Sequence, residues 1–353
     1  MANIDERELG QMLVSKAKSQ TVQVDVGKVS RGSFFTTDAS WLTDSVRSFL
    51  TEAFATFNSA LDPFAGDGHL LQLLHAEFGV ATHGFDIHGD RWPNNDSLLD
   101  IPNIQRSVIV TNPPYLANHS AKRKGVQSLT LQYFAGGRDN LYKVALDRCL
   151  ESADFVVAII PETFLLADYP FDRLVLASVI EQALFADTDA PALVACFAPV
   201  GLGLGRSAPV YVSDRPVGTL RRILASRLPS GTSQRRMRFN EPTGRIGFRA
   251  VDGTAVGERI RFMPAEDFSY PRSGVKVSSR LMTYLEIFDL DAAELPRFCA
   301  QANELLESIR NESQDLALAP FKGNNKAGRR RRRLDYELAR RILLGTLEDG
   351  KYD

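Results

Sequence analysis

The chain of 353 residues is poor in cysteine: Cys149, Cys196 and Cys299 lie far apart and form no CxxC pair. That spacing excludes a disulfide framework and a cysteine zinc site, and it predicts three buried thiols and no metal. Long apolar runs are missing as well. The stretch "FVVAII" is far too short to cross a bilayer, and the opening "MANIDERELGQML" lacks the apolar core of a secretory leader, so a cytoplasmic location is expected. No glycine-rich turn is followed by Lys-Ser or Lys-Thr, which excludes a Walker phosphate loop. Internal repeats are also absent, which leaves an ordinary globular chain, 44% hydrophobic and long enough for two domains.

What is present is unevenly charged. The net charge of −1 hides a first part, residues 1–200, with 15 Lys+Arg against 24 Asp+Glu, and a second, residues 201–353, with 27 against 19. These sums are −9 and +8, and the basic half suggests a polyanionic partner. Apolar segments containing β-formers recur in the acidic half: "SALDPF" (59–64), "THGFDI" (82–87), "SVIVTN" (107–112), "DFVVAIIP" (154–161) and "ALVACFAP" (192–199). Helical spacing lies between most of them, as in Trp41, Leu42, Val46, Phe49, Leu50 and Ala53 behind Asp38 and Ser40, and in Leu70, Leu71, Leu73 and Leu74. This rhythm predicts an α/β, doubly wound, mostly parallel sheet with its ligands at the carboxyl ends of the strands. Past the Gly-rich "GLGLGRSAPV" the rhythm ends, giving expected domains of 1–200 and 201–353, the second of α+β type. In it "GRIGFRAVDGTAVGERIRF" reads as a hairpin with Asp252-Gly253 as its turn.

Two motifs carry chemistry. "LDPFAGDGHLL" stands where a strand gives way to a helix; Gly66 and Gly68 permit close backbone approach, and Asp62 supplies an acceptor. Asp86, about twenty residues on in "HGFDIHGD", sits where a carboxylate binds ribose hydroxyls. The second motif, "VIVTNPPYLA", leaves an apolar run through Asn112, Pro113, Pro114 and Tyr115. Its two prolines make a stiff extended turn that fixes carbonyls and one ring in space.

In order, "FFTT", "DPFAGDG", "GFDI", "NDSL", "TNPPY", "NLY" and "VVAIIPETFL" resemble the gamma group of S-adenosylmethionine-dependent DNA amino-methyltransferases over roughly residues 30–200. The resemblance implies a Rossmann-like catalytic domain followed by a target-recognition domain. It implies S-adenosyl-L-methionine as cofactor, lined by Phe35, Thr36, Asp62, Phe64, Gly66, Gly68, Asp86, Ile87, Asp96, Ser97, Asn112 and Leu141. Thr37 stands where the family commonly has proline. The implied reaction is methyl transfer to the N6 amine of an adenine flipped out of double-stranded DNA. Asn112 and the Pro113 carbonyl would each accept one amine proton, Pro114 would stiffen the turn, and Tyr115 and Phe197 would sandwich the base.

Arg235, Arg236 and Arg238, and Lys322 and Lys326 with the run Arg329, Arg330, Arg331, Arg332 and Arg333, are expected to contact phosphates. A restriction endonuclease reading the same site is an expected companion. RNA adenine and protein glutamine methyltransferases, and a nucleic-acid-binding relative without catalysis, remain alternatives. The basic second half and the leading "FFTT" disfavour the glutamine enzyme. The joint presence of Asp62, Gly66, Gly68, Asp86, Asn112 and Pro113 disfavours a lost activity. Cytosine C5 chemistry lacks its Pro-Cys nucleophile.

Overall fold

Strand by strand, the apolar segments of the first half become a sheet because their side chains alternate between two buried faces. A computed structural model describes residues 39–123, 127–181, 184, 190–227, 236–288 and 290–350. The strands of its large sheet are β1 (Ser59–Asp62), β2 (Ala81–Gly84), β3 (Ser107–Thr111), β4 (Val156–Pro161), β5 (Leu174–Val179), β6 (Ala192–Phe197), β7 (Pro209–Val212) and β8 (Arg215–Thr219). The helices around it are α1 (Asp44–Thr56), α2 (His69–Phe78), α3 (Asn118–Arg123), α4 (Gln127–Thr130), α5 (Leu141–Ser152) and α6 (Leu220–Ala225). Val108, Val110, Val157 and Ile159 pack with Trp41, with Val46 and Leu50 of α1 and with Leu70, Leu71 and Leu74 of α2. Ile109, Val156, Ala158 and Ile160 point to the other face and meet Tyr142, Leu146 and Cys149 of α5. Such two-faced burial is why these strands read as continuous apolar runs rather than as alternating ones. The three cysteines are free and buried.

The sheet order is β2-β1-β3-β4-β6-β5-β7-β8. β1 pairs in parallel with β2 and β3, β3 with β4, and β5 with β7, whereas β6 runs antiparallel to both β4 and β5 and β8 antiparallel to β7. This is the expected doubly wound, Rossmann-like arrangement with one reversed strand inside it. It also moves the boundary expected at residue 200: β7 and β8 belong to the same sheet, so the first layer structure runs through Thr219. The strand rhythm was lost to sight there because Pro209, Pro216 and Gly218 interrupt short outer strands. The first helix starts at Asp44 after Thr43, later than Asp38 or Ser40 as caps.

The second half adds β9 (Met237–Phe239), β10 (Ile246–Arg249), β11 (Arg261–Pro264) and β12 (Met282–Ile287) as an antiparallel sheet of order β11-β10-β12-β9. The long helix α7 (Leu295–Ser313) and the last helix α8 (Tyr336–Gly350) bury Phe298, Ala302, Leu306, Leu338, Ile342 and Leu343 against Phe248, Phe262 and Leu285. Between those helices, β13 (Ala319–Asn324) and β14 (Arg330–Arg333) form a two-stranded ribbon. This is the α+β composition expected.

The predicted hairpin exists, since β10 and β11 pair antiparallel, but Asp252 is no exposed turn residue. It is buried, and its carboxylate takes both terminal nitrogens of the Arg310 guanidinium, end-on, at 3.0 and 3.1 Å together with the backbone N–H groups of Ile260 and Arg332, both at 3.0 Å. Burial alone would lift this carboxyl, but the Arg310 hydrogen bonds and charge and the two N–H donors hold it below the ordinary aspartate range. The contribution of Asp252 is therefore present above the unfolded aspartate pKa and is lost as pH falls through the depressed folded one. Replacing Asp252 by alanine leaves a buried guanidinium short of its main partner. We expect a loss of about 3 to 5 kcal/mol, read as a lower urea midpoint. An unchanged midpoint counts against the link.

Candidate functional site

Because β1 to β4 run parallel, their carboxyl ends share one edge, and the two motifs leave the sheet there side by side. β1 ends at Asp62, whose Oδ1 accepts from the Phe64 N–H at 3.0 Å and from the Thr111 hydroxyl at 2.6 Å. Thr111 closes β3, so a single carboxylate oxygen ties the Gly-rich turn to the residue preceding Asn112. Asp62 is 2% exposed. Burial pushes its carboxyl up to about 7, with the Asp86 charge adding to the rise and the Thr111 and Phe64 donors opposing it.

The turn itself is left-handed at two points, Gly66 (φ 50°) and Gly68 (φ 78°), the latter opening α2. Asp86 braces it from just beyond β2: one carboxylate oxygen accepts the Gly66 N–H and the other the His88 N–H, each at 2.9 Å. Trp92 closes the arrangement. Its indole N–H donates to the Gly66 carbonyl at 2.9 Å, and a Cβ on Gly68 or Gly84 would meet the ring at 2.7 or 2.6 Å. Both glycines are therefore required by the tryptophan lying against them, and Gly68 by its φ as well. Ile87 is 51% exposed beside this carboxylate.

Asp96 lies further along, its Oδ2 accepting the Tyr133 hydroxyl at 2.7 Å. Burial, then this hydrogen bond, raise the Tyr133 pKa. Ser97 is buried, its hydroxyl taking the Asn95 amide at 2.9 Å. Leu141 packs with Leu98, Leu116 and Phe134, with Phe64 against the same cluster, and its N–H donates to the Leu116 carbonyl at 3.0 Å. The "NLY" segment is thus tied to the chain just beyond Tyr115.

At the second motif, Pro113 is buried and Asn112, Pro114 and Tyr115 are half-buried. The Tyr115 hydroxyl lies 2.7 Å from Asn112 Oδ1 and 2.7 Å from the Ile159 carbonyl of β4, within donating distance of both. Its ring meets Tyr142 edge-on, centroids 6.4 Å apart. Burial raises its pKa well above the ordinary tyrosine value.

The carboxyl edge therefore brings together Asp62, Phe64, Gly66, Gly68, Asp86, Ile87, Asp96, Ser97, Leu141 and Asn112 to Tyr115. Phe35 and Thr36 lie outside the described residues. Phe197 does not join them. It is 0% exposed and pairs with Val156, the first residue of β4, so it lies at the opposite edge of the sheet. The reason is the reversed direction of β6: its carboxyl end falls beside the amino end of its neighbour. Sequence reasoning missed Thr111, Trp92 and Tyr133. Thr111 was signalled by its place at the end of the strand, directly before Asn112; Trp92 sits in a loop and Tyr133 in a short 3-10 turn, neither with a pattern.

The basic calls divide. Arg235 lies outside the described residues. Arg236 and Arg238 are exposed and flank the Phe288 ring at 5.4 and 5.8 Å, and Lys322, Lys326 and Arg329 are exposed around the β13–β14 ribbon. Arg330 and Arg333 are half-buried. Arg331 is half-buried too: its Nε donates to the Asp252 carbonyl and its guanidinium lies 4.9 Å from the Phe321 ring. Arg332 is buried and ion-paired with Glu162, which removes it from any phosphate-contacting set. Arg330 to Arg333 form an ordered strand, and pleating sends alternate side chains to opposite sides.

The acceptors and apolar surfaces at this edge suit a nucleoside with a polar tail. Asp86 offers a carboxylate toward hydroxyls, Ile87 and Phe64 offer apolar surface, Asp96 offers an acceptor for an exocyclic amine, and the Gly66 to Gly68 backbone can lie close to the tail. Among the described residues no cluster of His, Cys, Asp and Glu suits a metal ion. No described helix is long and apolar enough to cross a membrane.

No family model matches this sequence, and no curated protein matches it. Among solved structures it is similar to a Listeria monocytogenes protein described as a class I S-adenosylmethionine-dependent methyltransferase, at 14% identity over 56% of this chain and 68% of that one, TM-score 0.35. It is similar to the type IIG restriction endonuclease BpuSI at 19% identity, over 53% of this chain and 28% of that one, TM-score 0.36. A third is the methyltransferase subunit of a type I restriction-modification system from Streptococcus thermophilus, at 14% identity over 55% and 52%, TM-score 0.36. The matches cover well under two thirds of the last two proteins. At these values none of the likenesses carries a functional argument.

The raised Asp62 carboxyl has a measurable consequence. Between the ordinary aspartate pKa and about 7 the folded protein holds a proton that the unfolded chain has released, so stability falls as pH rises through that window. Asp62→Asn keeps an oxygen for Thr111 and Phe64 but removes the titration, and should flatten that decline in urea midpoints. Parallel pH profiles for wild type and variant would show that Asp62 is not the group responsible.

Proposed function

We propose that this chain is an S-adenosylmethionine-dependent DNA methyltransferase that methylates the N6 amine of adenine. The observation that supports this most is the joining, by the Thr111 to Asp62 hydrogen bond, of the Gly66 to Gly68 turn to Asn112-Pro113-Pro114-Tyr115. One element suits a nucleoside cofactor and the other an amine. When bound, the cofactor supplies an electrophilic methyl group on a sulfonium.

The chain's own task is to prepare the nitrogen. An adenine amine is a weak nucleophile because its lone pair is conjugated with the ring. Asn112 Oδ1 and the Pro113 carbonyl each accept one N–H, which biases the nitrogen toward tetrahedral geometry and leaves its lone pair free. Oδ1 already faces the Tyr115 hydroxyl, so an entering amine takes its second lone pair or displaces that hydroxyl. The stiff proline turn holds the acceptors at fixed spacing before the base arrives. Asp86 orients the cofactor's ribose and Asp96 its adenine, while Tyr115 offers a ring to the flipped base.

For the second half the reading is target recognition. Arg236, Lys322, Lys326 and Arg329 are exposed cations suited to phosphate contact and to the +8 excess there, while the exposed Arg238 is paired with Glu241. A restriction endonuclease of the same specificity is the partner this reading implies.

Purified protein incubated with labelled cofactor and duplex DNA should incorporate label into N6-methyladenine. Asn112→Ala should lower single-turnover transfer by about a hundredfold or more with cofactor binding nearly unchanged. Asp86→Ala should weaken cofactor binding by roughly 1.5 to 3 kcal/mol in calorimetry. Transfer by Asn112→Ala at the wild-type rate would dismiss this mechanism. Label in RNA or in a protein glutamine would redirect the substrate.

A further inference from the structure

One arginine of the basic run faces the first half of the molecule. Arg332, 5% exposed, donates through Nη1 to Glu162 Oε1, and Glu162 is 2% exposed. Glu162 directly follows Pro161, the last residue of β4, and its backbone N–H donates to the Pro191 carbonyl at the entrance to β6 at 3.0 Å. Three residues earlier is Ile159, whose carbonyl lies 2.7 Å from the Tyr115 hydroxyl. On its other side the Arg332 N–H donates to Asp252, which takes the Arg310 guanidinium. A continuous row of buried polar contacts thus runs from α7 through β14 to the carboxyl end of β4.

Buried ion pairs yield little net stability, because losing hydration rivals the attraction gained, so stability alone is a weak reason for this one. Among the described residues Glu162 Oε2 and Arg332 Nε have no hydrogen-bond partner, which makes the pair costlier still. What it supplies is geometry. We infer that Arg332 is a positioning residue: through Glu162 it fixes the end of β4, and with it the Ile159 carbonyl that holds Tyr115 beside Asn112. Seating of the second half is thereby linked to the readiness of the amine-binding edge. The effect on rate rests on the proposed methyltransferase reading, whereas the effect on β4 does not.

The test uses the full chain, with Arg332→Met and Glu162→Gln. Hydrogen exchange of residues 156–166 should quicken at least tenfold in either variant. Single-turnover methylation at saturating DNA should fall tenfold or more, with cofactor Kd within twofold and the slope of log DNA affinity against log salt unchanged. A residue that merely contacts phosphate would behave oppositely: the slope would lose about 0.9, with the saturated rate and β4 exchange as in wild type. That result overturns the inference, as does wild-type exchange in both variants. If Arg332→Met does not fold, the milder Glu162→Gln decides. If the wild type methylates nothing, the functional reading fails, and exchange at β4 still determines whether Arg332 positions that strand.

Discussion

Everything at the carboxyl edge depends on one buried carboxylate. Asp62 receives both the Phe64 N–H, which starts the glycine turn, and the Thr111 hydroxyl, which ends β3. Two loops that are 49 positions apart in sequence are held within one hydrogen bond of each other. The cost is visible in the same group, since burial lifts its carboxyl to about 7. A polar group in that setting is useful only while fully partnered, which favours one arrangement of the two loops over its neighbours. Asp86 and Trp92 then tighten the turn from outside, one through Gly66 N–H and the other through the Gly66 carbonyl.

The direction of a strand decides what its end can do. β1 to β4 deliver their terminal residues to the same edge, so motifs at strand ends were legible from sequence: an apolar run followed by Gly, Asp, Asn or Pro could be placed without coordinates. β6 looks the same in sequence, "ALVACF" before Ala-Pro, yet runs the other way. No local pattern encodes that reversal. It follows from pairing between β4 and β5, and β5 itself, "LVLASV", was not distinguished in the sequence. Phe197, to which the resemblance gives a stacking role, therefore lies at the other edge, and its apolar character is that of a core residue packed against Phe164 at 6.2 Å.

The second half was legible in class and opaque in detail. Its α+β class and one hairpin follow from the sequence, and α7 and α8 bury one apolar stripe each. Asp252-Gly253 misled because Asp-Gly is a strong turn signal, whereas here residues 250–260 connect β10 to β11 and Asp252 is used for its charge. Its partner Arg310 lies 58 positions away, beyond any local reading.

Charge counts have the same blind spot. Arg227, Arg238, Arg245, Arg259, Arg310 and Arg341 pair with carboxylates of their own half, at Asp335, Glu241, Glu286, Glu307, Asp252 and Glu337. Such pairs are nearly neutral at a distance, so they add little to the field that a polyanion meets. The +8 excess is expressed instead by cations that remain exposed, among them Arg236, Lys322, Lys326 and Arg329. Five consecutive arginines look equivalent in a sequence. A strand separates them into different environments, and Arg332, the one most buried, pairs across to the acidic half at Glu162. Net charge thus indicates the kind of partner a half can attract. Only pairing and pleat show which side chains are free to meet it and which hold the two halves in register.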